Sequence, residues 1–198
     1  MILRWLRRRK IFFIGFNKCG TTALHNFLKK NGVRSLHYQD RGRYVAAIIE
    51  QNLIRGRDPL YTIERYEAFS DLILVSESCY VEGNQYFEQL HACYPDSYFI
   101  FNDRDLGKWI LSRLKHKDFA DRQARYFGVT KDELPGIWRS IYGKRKQEIE
   151  AFFCDRGRFL NFNIESDDIQ KIAEFLRPDF QLKTKHFTKV NVTKSRQA

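Results

Sequence analysis

The sequence contains no apolar run approaching the roughly 20 residues needed to span a bilayer. Its opening, Met1-Ile2-Leu3-Arg4-Trp5-Leu6, is too short for the core of a secretory signal and lacks a small-residue cleavage site. The expectation from these two absences is a cytoplasmic protein with no transmembrane segment. Cysteine is scarce: Cys19, Cys79, Cys93 and Cys154 are widely spaced and form no CxxC pair. That argues against a zinc site or a disulfide framework and leaves reduced, buried thiols as the default. No internal repeat, low-complexity segment or domain linker interrupts the chain.

What is present is a globular composition with a basic excess. The 198 residues suit one domain, 43% of them are hydrophobic, and 17 Phe and 10 Tyr supply a core. The formal net charge of +11 suits a polyanionic ligand, a nucleic acid or an acidic surface. Part of it sits in Arg4, Arg7, Arg8, Arg9 and Lys10, read as a basic N-terminal extension over residues 1–10, and part in a basic tail over residues 178–198. The whole of 1–198 reads as a single domain.

Strand-like and helix-like segments alternate along it. Ile11 to Ile14 is an apolar strand, after which Leu24, Phe27 and Leu28 fall at helical spacing before Gly32. Gly32 to Tyr38 reads as a short strand, and Val45, Ile48, Ile49 and Leu53 as one face of a helix. Ser70 to Ser76 reads as a buried parallel strand, and Ser97 to Asn102 as another. Helices are expected around Tyr86–Tyr94 and Leu106–Leu114, and a long one from a capping box at Thr130–Glu133 to Phe153. A last strand at Arg158–Ile164 and a last helix through Ile169–Leu176 close the pattern. The expected fold is α/β: a three-layer α/β/α domain, a parallel sheet of about five strands with helices on both faces. Ligands in such folds sit at the carboxyl ends of the strands.

The most informative stretch is Gly15-Phe16-Asn17-Lys18-Cys19-Gly20-Thr21-Thr22, a tight loop between a buried strand and a helix start. Helix-start N–H groups and the helix dipole make such a loop an anion site. Gly15 and Gly20 have the spacing of the nucleotide-binding GxxxxGK[ST] loop, but Thr21 stands where its lysine belongs, and the lysine has moved into the loop as Lys18. The wording Asn17-Lys18-Cys19-Gly20-Thr21-Thr22 resembles the 5′-phosphosulfate loop of sulfotransferases, which use 3′-phosphoadenosine-5′-phosphosulfate (PAPS) and release the 3′,5′-bisphosphate PAP.

The resemblance extends to the fourth strand, which leads into Arg104-Asp105-Leu106-Gly107-Lys108-Trp109, with Ser112 eight positions after Arg104. In the family an Arg and a Ser so placed hold the 3′-phosphate, and arginine's planar fork suits that contact. The resemblance implies Asn17, Lys18, Cys19, Gly20, Thr21, Thr22, Arg104 and Ser112 as cofactor-binding positions. Lys189 and Asn191 in the basic tail are implied helpers, with a loose solubilising tail as the alternative. It also implies metal-independent, in-line transfer of a sulfuryl group to a hydroxyl or amine of a carbohydrate- or lipid-like acceptor. Lys18 would stabilise the leaving phosphate.

The general base is expected just after the second strand, where the sequence reads His37-Tyr38-Gln39-Asp40. Asp40 follows Lys18 by 22 residues, a spacing like that of carboxylate-using carbohydrate sulfotransferases, and is the first choice. His37, with an ordinary pKa of about 6.5, is the second. Asp71 is set aside because it stands at the start of the strand read over 70–76. Two other classes remain: a P-loop kinase of a nucleotide or small molecule, which lacks its lysine after Gly20, and a non-catalytic basic module for nucleotide or polyanion, for which no nucleic-acid recognition motif is found.

Overall fold

The computed structural model describes residues 9–188. Five parallel strands form the central sheet: β1 (Ile11–Phe13), β2 (Ser35–His37), β5 (Ala68–Ser70), β8 (Tyr98–Asp103) and β9 (Phe159–Asn163). Their order across the sheet is β2-β5-β1-β8-β9, so β1 lies in the middle with β5 and β8 beside it. Two small antiparallel ribbons lie outside it: β3 (Gln39–Asp40) with β4 (Arg43–Tyr44), and β6 (Ile73–Val75) with β7 (Tyr80–Glu82).

The strands alternate strictly between two cores. Phe12, Ile14, Phe69, Phe99 and Phe101 face one side, while Ile11, Phe13, Ala68, Tyr98 and Ile100 face the other. Both faces are apolar because helices cover both, which is why these strands read as unbroken hydrophobic runs. On the second face α1 (Thr21–Lys30) packs through Leu24, Phe27 and Leu28, joined by Ile172 and Leu176 of α7 (Gln170–Leu176). The first face carries α2 (Val45–Ile54), α3 (Phe87–Cys93), α4 (Leu106–Leu114), α5 (Phe119–Phe127) and the twenty-residue α6 (Leu134–Phe153). This is the expected three-layer α/β arrangement.

Several expectations are corrected. The strand read over 70–76 is two different strands. The parallel one ends at Ser70, Asp71 turns the chain with a left-handed φ of 57°, and residues 73–75 run into the antiparallel ribbon. The helix α5 was not anticipated. Lys10 is not part of an exposed extension: it is 5% exposed, and its ammonium donates to the carbonyls of Glu64 and Tyr66 at 2.6 and 2.7 Å. The basic tail begins as packed structure, with Phe180, Leu182 and Phe187 against the second core and Asp179 bound by Arg9, Arg158 and the Tyr98 hydroxyl. Of the thiols, only Cys19 is buried; Cys79 and Cys93 are partly exposed and Cys154 is exposed.

Candidate functional site

The loop from Ile14 to Gly20 leaves the carboxyl end of the central strand and is held by its neighbour β8. Asn102, wholly buried, accepts from the Gly15 N–H at 3.0 Å and donates to the carbonyls of Phe16 (3.3 Å) and Cys19 (3.1 Å). One side-chain amide thus pins both ends of the loop. Gly15 is required by this closeness: a Cβ there would lie 2.1 Å from the Asn102 carbonyl oxygen. Gly15→Ala should therefore lower stability by about 3 kcal/mol, at the upper end for overpacking, with loss of loop function. Chemical denaturation reads the first, and nucleotide titration the second.

A second buried support comes from α4. The Trp109 indole donates to the Asn17 carbonyl at 2.9 Å, and Arg113 Nε donates to Asn17 Oδ1 at 2.9 Å. Arg113 is fully buried, with Trp109 beneath its guanidinium at 4.2 Å and Glu82 as its ion pair at 2.6 Å. A fully buried charge depends on its partners, and removing Glu82 or Asn17 would leave it uncompensated. Here it orients Asn17. The loop can then adopt its left-handed residues, Lys18 at φ 65° and Gly20 at φ 75°.

The loop opens into a cavity of about 460 Å³ at the carboxyl ends of β1, β2, β5 and β8. Of the expected site residues, Asn17, Lys18, Gly20, Thr21, Thr22, His37, Arg104 and Ser112 all line it. They come from the first loop, the end of β2, the turn after β8 and helix α4, segments distant in sequence. No side chain caps the start of α1, and helix-start N–H groups lack intrahelical acceptors, so the site can accept an anion there.

Arg104 is anchored but not saturated. It donates to the Lys18 carbonyl at 3.1 Å and to Glu165 at 3.3 Å, and Lys108 also reaches Glu165 at 3.4 Å. The preceding Asp103 is spent on architecture, accepting from the Arg104 N–H, the Tyr142 hydroxyl and the Lys146 ammonium.

Two expected residues are not brought into the cavity. Asp40 is absent from its lining: both carboxylate oxygens are taken by Arg65, at 2.7 and 2.8 Å, and the Tyr66 hydroxyl adds a third bond. Burial raises its pKa, but the bonds from Arg65 and Tyr66 together outweigh that and hold it below the ordinary value, so Asp40 reads as a structural anchor of the β3–β4 ribbon. Cys19 turns into the core beside Phe16, and burial pushes its thiol pKa up, which makes it unreactive. Lys189 and Asn191 lie outside the described residues.

Asp71, set aside on the sequence, is at the centre. Because β5 stops at Ser70, Asp71 stands at the carboxyl end of its strand and faces the loop. Thr21 Oγ1 donates to its Oδ1 at 3.1 Å, and His37 Nε2 lies 3.8 Å from its Oδ2, too far for a hydrogen bond. Burial pushes the Asp71 pKa up to about 6, against the lowering effects of the Thr21 bond and of Lys18. Burial likewise lowers the pKa of Lys18, with Arg104 adding to the effect and Asp71 opposing it. His37, bonded through Nδ1 to Ser70 Oγ at 3.0 Å and stacked on His25, is pushed down to about 4 by burial, so its imidazole is neutral near pH 7.

Sequence reasoning also missed His116, Phe119 and Arg122, which come from α4's end and α5, and Tyr38, Ile73 and Val75; all six line the cavity. A signal for Asp71 existed. The polar pair Ser70-Asp71 splits the apolar stretch from Ala68 to Val75 into two short strands.

Comparison with known proteins agrees with this geometry. The family model described as "Sulfotransferase domain" matches residues 10–129, from the residue before β1 to just past α5. No curated protein matches the chain.

Proposed function

We propose, from the premise that this chain belongs to the sulfotransferase domain family, that it transfers a sulfuryl group from PAPS to a hydroxyl of a small acceptor. The supporting observation is the gathering of Lys18, Thr21, Thr22, Asp71, Arg104 and Ser112 around one cavity at the sheet's carboxyl edge. Uncapped N–H groups at α1 suit a 5′-phosphosulfate, and Arg104 with Ser112, which line the same cavity, suits a second phosphate. A donor with two separated anionic groups fits both.

PAPS supplies the sulfuryl group, the acceptor oxygen bonding to sulfur as the bond from sulfur to the 5′-phosphate oxygen breaks. The chain's residues supply position and charge. Lys18 offers an ammonium where negative charge develops on the departing phosphate, and desolvation strengthens that interaction. Asp71 takes the proton of the acceptor hydroxyl. A carboxyl group at about 6 is ionised at neutral pH yet more basic than an exposed aspartate, which suits general-base work. The Thr21 hydroxyl holds one Asp71 oxygen and leaves the other towards the cavity. His37 is a neutral neighbour that shapes the base's surroundings.

A kinase reading is not favoured by the residues present. Thr21 occupies the place of the P-loop lysine, and its hydroxyl is committed to Asp71.

Calorimetric titration with PAP, ADP and ATP–Mg²⁺ tests the proposal. PAP should bind at least tenfold more tightly than ADP, and Arg104→Ala should remove most of that advantage while leaving ADP nearly unaffected. Equal binding of PAP and ADP would exclude a 3′-phosphate site. Preference for ATP–Mg²⁺ would redirect the reading to phosphoryl transfer.

A further inference from the structure

The donor's anionic groups have partners in the loop and at Arg104, yet the cavity holds further cationic and polar hydrogen-bonding capacity on its opposite wall. Arg122, on α5, lines the cavity, and its Nε is buried without a hydrogen-bond partner. His116 Nδ1, in the same wall, is also buried and unpaired. Among the described residues Arg122 makes no side-chain ion pair, whereas Arg104 and Arg113 both do. An unpaired charged donor removed from water is unfavourable unless something else completes it.

The surroundings identify what that is. Arg122 lies within electrostatic reach of Tyr38 and His116, and His116 within reach of Lys18 and Asp71. The two unpaired groups therefore stand on the side of the cavity where an acceptor would approach Asp71. The nearby wall is apolar, formed by Ile73, Val75 and Phe119.

We propose that this part of the cavity selects acceptors bearing an oxyanion on an apolar or aromatic body, with Arg122 as the specificity-determining residue and His116 as a second polar contact. The proposal rests on the sulfotransferase reading and deepens it. Planar, two-pronged recognition by the guanidinium suits a carboxylate, sulfonate or phosphate alike. The apolar wall takes the body of the molecule and leaves its hydroxyl towards Asp71. An uncharged sugar or sterol alcohol would leave the Arg122 Nε without a partner and be discriminated against.

Matched probes test this by calorimetry on the full chain, with and without saturating PAP. The pairs are 4-hydroxyphenylacetate with 4-hydroxyphenylacetamide, and 4-hydroxybenzenesulfonate with 4-hydroxybenzenesulfonamide. At least one acid should bind ten times or more tightly than its amide. Arg122→Met should abolish that preference with PAP affinity retained, and Arg122→Lys should restore part of it. The pair that shows the preference tells carboxylate from sulfonate selection. Equal binding within both pairs, no binding of either acid, or a preference that survives Arg122→Met would overturn the proposal. Failure of the wild type to bind PAP would overturn the donor reading instead, a separate result because the Arg122 comparison is also made without nucleotide.

Discussion

Asp71→Asn is expected to lower kcat/KM for sulfuryl transfer by about 10²–10⁴-fold, the range for loss of a positioned general base, and at the same time to stabilise the free protein. Both effects have one cause. Burial raises the native pKa of Asp71 from 3.8 to about 6. Between those values the native state binds more protons than the unfolded chain, so stability falls as pH rises through the window. Above about pH 6 the full cost of a buried carboxylate is present, on the order of 1–3 kcal/mol from a shift of this size. Asparagine keeps an oxygen for the Thr21 hydroxyl and removes the charge. The melting temperature should rise at pH 7.5 and be unchanged near pH 3, where the carboxyl is protonated in both states. Wild-type kcat/KM should fall as pH drops through about 6. A limb near 4 would point to His37 as the base, since that is where burial places its imidazole. Unchanged activity in Asp71→Asn would remove Asp71 from the mechanism.

Lys18→Ala should reduce kcat by about 10³-fold while weakening PAP binding much less. A preorganised donor aimed at developing charge contributes about 2.7–4 kcal/mol to the transition state. Lys18 has the features of one: half-buried, with its pKa lowered by desolvation, and carried on a backbone held at φ 65°. The fork of Arg104 bonds its carbonyl, so the loop that aims the ammonium is fixed from outside. Left-handed backbone disfavours alanine as it does lysine. Lys18→Gly relieves that strain and separates backbone from amine. Both variants should lose activity equally and differ in stability, with glycine the more stable. Lys18→Arg should not restore activity, because a planar fork cannot replace a compact ammonium at a single oxygen. Single-turnover rates with pre-bound PAPS would distinguish the chemical step from binding.

The sheet, its two apolar faces and the anion loop were legible because they depend on short-range pattern. Runs such as Tyr98–Asn102 announce a strand covered on both sides, and Gly15 and Gly20 bracket a turn whose backbone demands are local. Arg104 and Ser112 were singled out by the resemblance to sulfotransferases, and both line the cavity. The base was not. Asp40 and Asp71 are both aspartates near strand ends, and their difference lies in partners remote along the chain. Arg65 and Tyr66 bind one of them, while Thr21 binds the other. The left-handed turn at Asp71 is set by where β5 stops pairing with β1 and β2, and pairing is a property of the folded sheet.

The sequence by itself determined the layer order, the phosphate-type loop and the position of its lysine, all products of periodicity and glycine placement. Only the tertiary structure decided which carboxylate lines the cavity with that lysine and which of the cavity's two arginines is left without an ion pair among the described residues. Desolvation and pairing depend on neighbours that sequence separation conceals.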